Sequence, residues 1–376
     1  MESVRPNRAE FDLGALRHNA RELRRLAGPE AKIIAALKAN AYGHGAAPVA
    51  RTLADDGDTF ALATGSFEDA LAIRSAGVEL PIMMFAGALP EAAPLVLAHD
   101  LMPTVYDLPG AEAASAAGAA AGRTAPVYVK VDAGLGRLGV PLPDALEYIR
   151  ALQRLPNLRV EGVYTHLSFY DEMEREWARS HLRGFDALLE ALEAAGIEVP
   201  VTQALASSCM VAGLASRGNA VCPGHFLYGV PSIAPSVADT SAFRPVLRSI
   251  KSRIIHAGPP KAGMRGLPER DTPSRIGVIP LGLADGYRPA AAGRSPCALV
   301  DGARVPIRGV SLEHITLDLS ARPAAGVGDE VVLLGESGGE SITLADLADW
   351  QGTRLHHVLM ALDGRLPAHY DDGDPP

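Results

Sequence analysis

Up to about residue 229, short runs of apolar residues alternate with longer segments in which apolar residues recur at helical spacing. That spacing predicts amphipathic helices, and the dense apolar runs predict strands that are buried on both faces. Eight such runs can be counted, beginning with the run that ends at Lys38. The others occupy residues 59–64, 81–85, 102–106, 126–132, 158–166, 201–206 and 220–229.

Strands that alternate with helices form parallel sheets, and eight of them predict an α/β fold with a closed, TIM-like (β/α)8 barrel. An open doubly wound sheet is the alternative, because strand order cannot be deduced from one sequence. A barrel places its reactive side chains at the carboxyl ends of its strands. Several polar or reactive residues occupy such positions: Lys38, Lys130 with Asp132, Tyr164 with His166, Ser207 with Ser208, and Cys222.

The pattern changes after about residue 235. Short β-type runs separated by turns, such as 297–300, 305–307, 315–319 and 330–334, predict a mostly β C-terminal domain. We therefore expect a barrel domain over residues 1–235 and a β-rich domain over residues 236–376. The first residues of the chain, although counted in 1–235, could pack on the C-terminal domain and not on the barrel.

Composition and charge exclude several classes of protein. The chain has 376 residues and a net charge of −9 without a basic run, so it lacks the electrostatic footprint of a nucleic-acid-binding protein. Cys209, Cys222 and Cys297 are scattered, which argues against a disulfide framework and against zinc-binding cysteine pairs. No apolar run has the length of a membrane span or the character of a signal peptide. We expect a cytoplasmic protein with no nucleic-acid or membrane partner and no metal.

The candidate chemistry begins at Lys38, one of only five lysines in the chain. A lysine that ends an apolar run either extends its amine to water or is held neutral, because burying an unpaired ammonium group is costly. Asn40, Tyr42 and His44 crowd the amine with polar groups, and small residues between them leave room for a flat ligand. A desolvated lysine has a lowered pKa and can form a Schiff base with an aldehyde.

The segment KANAYGHG at 38–45 resembles the cofactor-lysine signature of the alanine racemase family, the fold-type III enzymes that use pyridoxal 5'-phosphate (PLP). The resemblance implies that Lys38 is the Schiff-base lysine and that Tyr42 contacts the cofactor phosphate. Ser207 with Ser208, and the turn with Gly224 and His225, offer hydroxyl and N–H groups to that phosphate, although a serine pair can also cap a helix. Both segments resemble the family pattern.

Two departures from the family concern the cofactor. Ser207 stands where the family has an asparagine, and Cys222 stands where it has an arginine facing the pyridine nitrogen. A cysteine carries no fixed charge, so we expect the electronic state of the cofactor to differ. Cys222 is nevertheless a candidate catalytic and cofactor-binding residue, as is His166, which resembles a family histidine near the cofactor ring. A histidine at a strand end can also be an ordinary core residue.

The segment 130–139, KVDAGLGRLG, resembles the second signature of the family. The guanidinium group of Arg137 can bind a carboxylate or the hydroxyl side of the cofactor, so Arg137 is a candidate substrate-binding residue. The resemblance also implies that Lys130 supports this arginine, since in some relatives the equivalent lysine is carbamylated for that role. A barrel lysine simply paired with Asp132 is the alternative interpretation for Lys130.

The largest departure lies in the predicted β domain. The family has Gly-Tyr-Ala-Asp-Gly-Tyr where residues 282–287 are GLADGY, and its first tyrosine is the second acid/base of the reaction. A two-base racemase needs a proton carrier on each face of the planar intermediate, and the leucine at this position, Leu283, cannot carry a proton. Leu312 and Glu313 align with a family turn near the substrate carboxylate. We therefore predict that Leu283, Leu312 and Glu313 line the substrate pocket.

Three functions remain open from sequence. The first is an amino-acid racemase or epimerase in which another group, such as Cys222, Tyr287, His166 or a water, replaces the missing tyrosine. The second is a fold-type III PLP enzyme diverted to decarboxylation, β-elimination or aldol cleavage, and the third is a PLP-binding protein without turnover. The resemblance also implies a small amino-acid substrate and a homodimer whose sites are shared between one barrel and the β domain of the partner.

Overall fold

A computed structural model describes residues 4–85, 89–260, 272–362 and 364–372. The chain divides into two compact units. One, the barrel unit, comprises Ala15–Arg244, and the other, the C-terminal unit, comprises Pro245–Pro376 together with Met1–Gly14. The boundary that the sequence predicts, between residues 235 and 236, precedes this division.

The strands are numbered in chain order across both units. They are β1 (Arg8–Asp12), β2 (Lys32–Ala36), β3 (Ala61–Thr64), β4 (Ile82–Met84), β5 (Leu101–Val105), β6 (Ala125–Asp132), β7 (Val140–Pro141), β8 (Leu158–Leu167), β9 (Val201–Ala206), β10 (Ala220–Cys222), β11 (Leu247–Arg253), β12 (His256–Gly258), β13 (Ile276–Ile279), β14 (Cys297–Val300), β15 (Ala303–Val310), β16 (Ile315–Asp318), β17 (Glu330–Ser337), β18 (Glu340–Ile342) and β19 (Ala368–Asp371).

The helices follow the same chain order. They are α1 (Leu13–Ala27), α2 (Lys38–Gly43), α3 (Ala46–Asp55), α4 (Phe67–Ser75), α5 (Ala93–Ala98), α6 (Leu108–Ala120), α7 (Ala145–Leu152), α8 (Glu172–Ala194), α9 (Ser207–Val211), α10 (Leu344–Trp350) and α11 (Leu355–Leu362). Short 3-10 helices lie at Pro90–Ala92, Leu142–Asp144, His225–Tyr228 and Leu283–Asp285. Side-chain caps start several helices, since Ser66, Asp107 and Asp171 each accept an N–H from the first turn.

In the part of the chain that the structure describes, eight parallel strands close into a barrel in the order β2-β3-β4-β5-β6-β8-β9-β10, with β10 returning to β2. The two-residue strand β7 pairs with the carboxyl end of β6. The predicted (β/α)8 fold is therefore confirmed, and the open sheet is wrong because β5 pairs with β6 and β10 with β2.

Two tyrosines occupy the interior of the barrel between smaller apolar residues. Tyr128 and Tyr164 are almost fully buried, and their rings meet edge to face with centroids 6.4 Å apart. Tyr128 fits because Gly162 faces it from β8, where a Cβ atom would lie 2.3 Å from the ring. The smaller core side chains around them are Ile34, Ala61, Ala63, Met83, Met102, Val201 and Ala220. A filled interior leaves chemistry to the strand ends.

The C-terminal unit is built on a second sheet with the order β12-β13-β16-β15-β14-β17-β11-β1-β19, in which β18 pairs with β17. Its neighbouring strands are antiparallel except β1 and β19. The predicted β-rich domain is confirmed, with β1 contributed by the first residues of the chain. None of the described helices is both long and apolar enough to cross a membrane.

Candidate active site

Lys38 follows β2 at the carboxyl end of the barrel. The backbone there is fixed because the N–H of Leu37 donates to the carbonyl of Ala63, at 2.7 Å. Burial lowers the pKa of the Lys38 amine below its usual value, the positive charge of Arg137 acts in the same direction, and Cys222 opposes them. The amine lies 5.7 Å from the ring centre of Tyr42. A neutral amine can accept a proton or react with an aldehyde, so burial prepares Lys38 for either reaction.

The four residues after Lys38 form a left-handed helical turn. Ala39, Asn40, Ala41 and Tyr42 have φ between 51° and 54°, a region that residues with a Cβ rarely adopt. Each such residue costs about 1–2 kcal/mol, so the turn persists only where its surroundings hold it. His44 contributes to that, because its Nδ1 lies 3.0 Å from the carbonyl oxygen of Ala41 and 2.9 Å from that of Tyr42.

The hydroxyl of Tyr42 points to a cradle between β9 and β10. The N–H of Gly224 donates to Ser207 Oγ at 2.6 Å, and a Cβ atom at Gly224 would lie 2.5 Å from Tyr42 Oη. Ser208 Oγ is buried and has no hydrogen-bond partner among the described residues. His225 packs edge-on against the ring of Tyr42, with ring centres 4.8 Å apart. The cradle offers the hydroxyl groups of Tyr42 and Ser208 to an oxyanion.

The structure also settles what the serine pair does. Helix α9 begins at Ser207, directly after β9, and its N-cap residue, Ala206, provides no side-chain cap. Because Ser207 Oγ accepts the N–H of Gly224 instead, the capping interpretation of the pair is wrong.

A loop after β6 carries Arg137. Asp132 gathers this loop, because its Oδ1 accepts the N–H groups of Gly134 and Gly136 at 2.9 and 3.1 Å, and its Oδ2 accepts that of Arg137 at 3.1 Å. Burial raises the pKa of the Asp132 carboxyl, but these N–H groups outweigh it and lower the pKa below its usual value. The guanidinium group of Arg137 is exposed and therefore available to an anionic ligand.

Lys130 precedes this loop and lies under Tyr164, with its Nζ 5.2 Å from the ring centre. Burial and the positive charges of Arg137 and Lys38 lower the pKa of the Lys130 amine to about 8, against the weaker opposing effect of Asp132. The alternative in which Lys130 is merely an ion-pair partner of Asp132 loses support, since Asp132 is engaged by backbone N–H groups. At neutral pH the amine adds positive charge beside Lys38.

His166 and Cys222 complete the polar groups around Lys38. Burial, and then the charges of Lys38, Lys130 and Arg137, lower the pKa of His166 to about 3, so its ring is neutral at pH 7. Burial raises the pKa of the Cys222 thiol to about 12, although Lys38 opposes the rise. Cys222 therefore keeps its proton at pH 7, and the raised pKa makes the thiol a weak acid.

In the C-terminal unit, Leu283 lies on a tightly fixed turn. The N–H of Leu283 donates to the carbonyl of Ser311 at 2.9 Å. Asp285 holds the turn from inside, since its fully buried carboxylate accepts the N–H of Gly282 at 3.0 Å and Arg5 Nη2 at 2.7 Å. The backbone position is thus well defined, although the side chain at its apex is only a leucine.

The other predicted residues of this unit lie beside that turn. The N–H of Ala284 donates to the carbonyl of Leu312, and the side chains of Leu283 and Leu312 are 44% and 70% exposed. Glu313 forms an ion pair with Arg365 at 3.0 Å. Tyr287, a candidate replacement for the missing tyrosine, is buried within the unit at 2% exposure. As placed, its hydroxyl cannot reach a ligand at the surface.

Sequence reasoning missed two supporting residues, Asp69 and Arg5. Asp69 has the sequence signal of a helix first turn, three residues after the N-cap Ser66, and nothing in that pattern indicates its contact with Asn40, 29 residues away. Arg5 precedes every predicted element. Both contacts depend on tertiary structure.

Comparison with known proteins identifies the family. Residues 11–232 match the family model "Alanine racemase, N-terminal domain", and residues 263–370 match "Alanine racemase, C-terminal domain". The chain belongs to the alanine racemase family. The resemblance of the segment 38–45 to the family's lysine signature is thereby supported by matches over most of the chain.

Relatives within the alanine racemase family match along nearly all of this chain. The alanine racemase of Halothermothrix orenii is 32% identical over 98% of this chain and 97% of its own, and that of Syntrophobacter fumaroxidans is 34% identical over 94% of each. Among solved structures, alanine racemase of Clostridium difficile 630 in complex with cycloserine has a TM-score of 0.87 at 27% identity, over 98% of this chain and 96% of that one. The enzyme from D-cycloserine-producing Streptomyces lavendulae has a TM-score of 0.86 at 29% identity, over 99% and 98%.

Proposed function

We propose that this protein is a PLP-dependent amino-acid racemase that acts at the Cα atom of a small amino acid, with alanine as the first substrate to test. The observation that carries the proposal is Lys38, whose amine lies at the carboxyl end of a barrel strand with its pKa lowered by burial. The full-length similarity to alanine racemases supports the same reaction class.

The residues around Lys38 fit PLP. Lys38 would hold the cofactor aldehyde, and Tyr42, Ser207, Ser208 and Gly224 would hold its phosphate. The buried, unpartnered Oγ of Ser208 favours an oxyanion at this place, and so does the close approach of Tyr42 Oη to the backbone of Gly224, which a Cβ atom would block. Bound PLP supplies an electron sink that makes the Cα proton of the amino acid acidic.

The protein's own groups would then orient the substrate and carry protons. The exposed guanidinium group of Arg137 is suited to the substrate carboxylate or the hydroxyl side of the cofactor. The Nζ atom of Lys38 accepts the Cα proton when neutral and returns it when charged. Cys222 stays a thiol and gives the cofactor ring no fixed charge, and the neutral ring of His166 adds none either.

The second face of the substrate has no tyrosine to serve it, since Leu283 cannot exchange a proton. A second proton carrier must then come from another group, and that group has to accept a proton as well as donate one; Cys222, His166 and a water are the remaining candidates. If no second carrier acts, the protein exchanges the Cα proton on one face only. That outcome would favour the diverted PLP reactions over racemisation.

We also propose a homodimer in which the β domain of one copy completes the site in the barrel of the other. Exposed Leu283 and Leu312 support this arrangement, because two apolar side chains on adjacent turns gain stability when another surface covers them. Together with Glu313 they would form a wall of the pocket. Sedimentation of the purified protein should give twice the chain mass, and a monomeric, active protein would contradict the shared site.

The reaction is tested by incubating the PLP-loaded protein with each enantiomer of alanine, serine and other small amino acids in heavy water. Nuclear magnetic resonance and chiral chromatography follow the Cα proton and the products. Exchange with inversion supports a racemase, whereas exchange with retention indicates chemistry on one face. Release of carbon dioxide or ammonia would support the diverted enzyme, and an unchanged substrate in every case would support binding without turnover.

A further inference from the structure

Asp69 contacts the left-handed turn from a neighbouring helix. It lies in the first turn of α4, and its Oδ2 accepts the backbone N–H of Asn40 at 3.0 Å and the hydroxyl of Thr64 at 3.2 Å. Thr64, at the end of β3, is fully buried, so the carboxylate is held from the barrel side as well. One carboxylate oxygen thus joins the end of β3 to the turn after Lys38.

Asn40 is also hydrogen-bonded to the start of the next helix, α3. Its side-chain Oδ1 accepts the N–H of Ala46 at 2.8 Å, and its carbonyl accepts the N–H of Gly45 at 2.9 Å. Gly45, the N-cap residue of α3, has no side chain that could do this. Asn40 is therefore fixed through its N–H by α4, and through its two oxygens by the start of α3.

The conformation that these contacts hold determines how far Lys38 lies from Tyr42. The three residues between them and Tyr42 itself all have positive φ, and a change to ordinary φ at any of the four would turn Tyr42 away from the cradle at Gly224. An isolated chain would not adopt this turn, because alanine and tyrosine disfavour it. Strain of this kind persists at functional sites when surrounding contacts determine it.

We propose that Asp69 is a positioning residue for PLP: by hydrogen bonding to the N–H of Asn40 it keeps the left-handed turn that sets the amine of Lys38 and the hydroxyl of Tyr42 at the spacing of the cofactor aldehyde and phosphate. The inference rests on the proposed function. Asp69 carries no proton in the reaction, and its effect passes through the backbone of Asn40.

Two substitutions at Asp69 separate a hydrogen-bonding role from a purely electrostatic one. Asp69→Ala removes the acceptor and should weaken PLP binding about 10- to 100-fold, the range for loss of a hydrogen bond to a charged group. Asp69→Asn keeps an acceptor oxygen for the Asn40 N–H and should stay within about threefold of the wild type. Glu68→Ala, a change of an exposed acid in the same helix turn, is the matched control and should have no effect.

The readouts are the PLP dissociation constant from absorbance titration, the absorption spectrum of the loaded protein, and the melting temperature of each variant. Where Asp69→Ala does not fold, Thr64→Val replaces it, since it removes only the second donor to Asp69 and should weaken PLP binding about two- to fivefold. Wild-type affinity and spectrum in the alanine and valine variants would overturn the positioning role. Equal losses in Asp69→Asn and Asp69→Ala would overturn it too, because charge alone would then explain the effect.

Measurement of PLP binding by the wild-type protein distinguishes a failure of the proposed function from a failure of the role of Asp69. A wild-type protein that never binds PLP contradicts the proposed function itself. A wild-type protein that binds PLP, with Asp69 variants that bind it equally well, contradicts only the role of Asp69.

Discussion

The turn after Lys38 and the turn at Leu283 both have a well-fixed backbone, but they differ in the chemistry of the side chains that they present. Around Lys38, side chains and backbone agree: the amine is desolvated, the left-handed turn is held by Asp69 and His44, and hydroxyl groups converge on a cradle. Around Leu283 the backbone is equally well fixed by Asp285, but the apical side chain has no proton to exchange. The turn at Leu283 thus combines a well-defined backbone with an apolar side chain that cannot transfer a proton.

In the function that we propose, cofactor binding and the second proton transfer depend on different parts of the chain. The barrel unit contains every residue that we assign to PLP, whereas the C-terminal unit contains the position where the family reaction places its second proton carrier. A change in one unit can therefore alter the reaction while the cofactor site stays intact.

The largest effect is expected from restoring the phenol. Leu283→Tyr places a hydroxyl on a turn whose backbone is already fixed, and it should raise alanine racemisation by about two to four orders of magnitude if proton transfer limits the rate. Polarimetry or coupled assay of D-alanine formation measures it. Leu312→Tyr, on the adjacent turn, is the control and should give no comparable gain.

An unchanged rate in Leu283→Tyr would contradict the idea that this turn alone lacks the required group. The departures at Cys222 and Glu313 would then matter more. The PLP dissociation constant of Leu283→Tyr should stay at the wild-type value, because the residues assigned to PLP belong to the barrel unit.

A smaller effect is expected from Asp132→Asn in the barrel unit. The amide can still accept through one oxygen, but its nitrogen cannot accept the N–H of Arg137, so the arginine loop loosens. We expect the KM for the amino acid to rise about tenfold with a smaller change in kcat, in line with a lost hydrogen bond to a charged acceptor. Asp144→Asn, at an exposed acid without a side-chain cap contact, should leave both constants unchanged. A loss in kcat alone would contradict a binding role for Arg137.

Acid should destabilise the barrel unit through His44. Burial lowers the pKa of His44 to about 4 from its usual value near 6.5, so the unfolded chain binds more protons than the folded one between those values. Stability therefore falls as the pH drops through this window, by about 2 kcal/mol from pH 7 to pH 5 for this one group. Urea unfolding at both pH values measures it.

The variant His44→Phe should lose that part of the pH dependence, although it also loses the contacts to the carbonyls of Ala41 and Tyr42. His314→Phe, a change at an exposed histidine of the C-terminal unit, should keep the full dependence. An equal slope in His44→Phe and the wild type would mean that His44 is not held neutral.

The smallest effect, and the one with the clearest sign, concerns Ala39. It is exposed and has a φ of 54°, so Ala39→Gly relieves strain without removing packing, and the free energy of unfolding should rise by about 0.5–1 kcal/mol. Ala116→Gly, at an exposed position inside right-handed α6, should lower it by about 1 kcal/mol. Thermal unfolding compares the two variants, and destabilisation by both would contradict the left-handed turn.

Much of the fold follows from sequence because the barrel strands are dense apolar runs and the helices between them keep helical spacing. The missed elements lack those signals: β12 and β18 are three residues long, and β19 is exposed along its whole length. The strand β1 was missed as well, since it pairs with β11 from the far end of the chain. Short or exposed strands are defined by their partners more than by their own residues.

The candidate site was predictable where chemistry shows in residue type, as at Lys38, Ser208 and Arg137. The residues and backbone contacts that hold these side chains in place were not predictable. Nothing in the residues 39–42 favours a left-handed turn, and the contact from Asp69 that holds it spans 29 residues. Local propensity opposes this turn, so tertiary contacts must decide it, and sequence patterns do not record them.

The most direct test of the central claim is to find where PLP is held. Loaded protein is reduced with borohydride, digested, and mapped by mass spectrometry, alongside Lys38→Ala and Lys32→Ala, a change at the other lysine of this stretch. The account predicts a pyridoxyl group on Lys38 in the wild type and in Lys32→Ala, and none in Lys38→Ala. Labelling of another lysine in the wild type, or labelling that persists in Lys38→Ala, would contradict it.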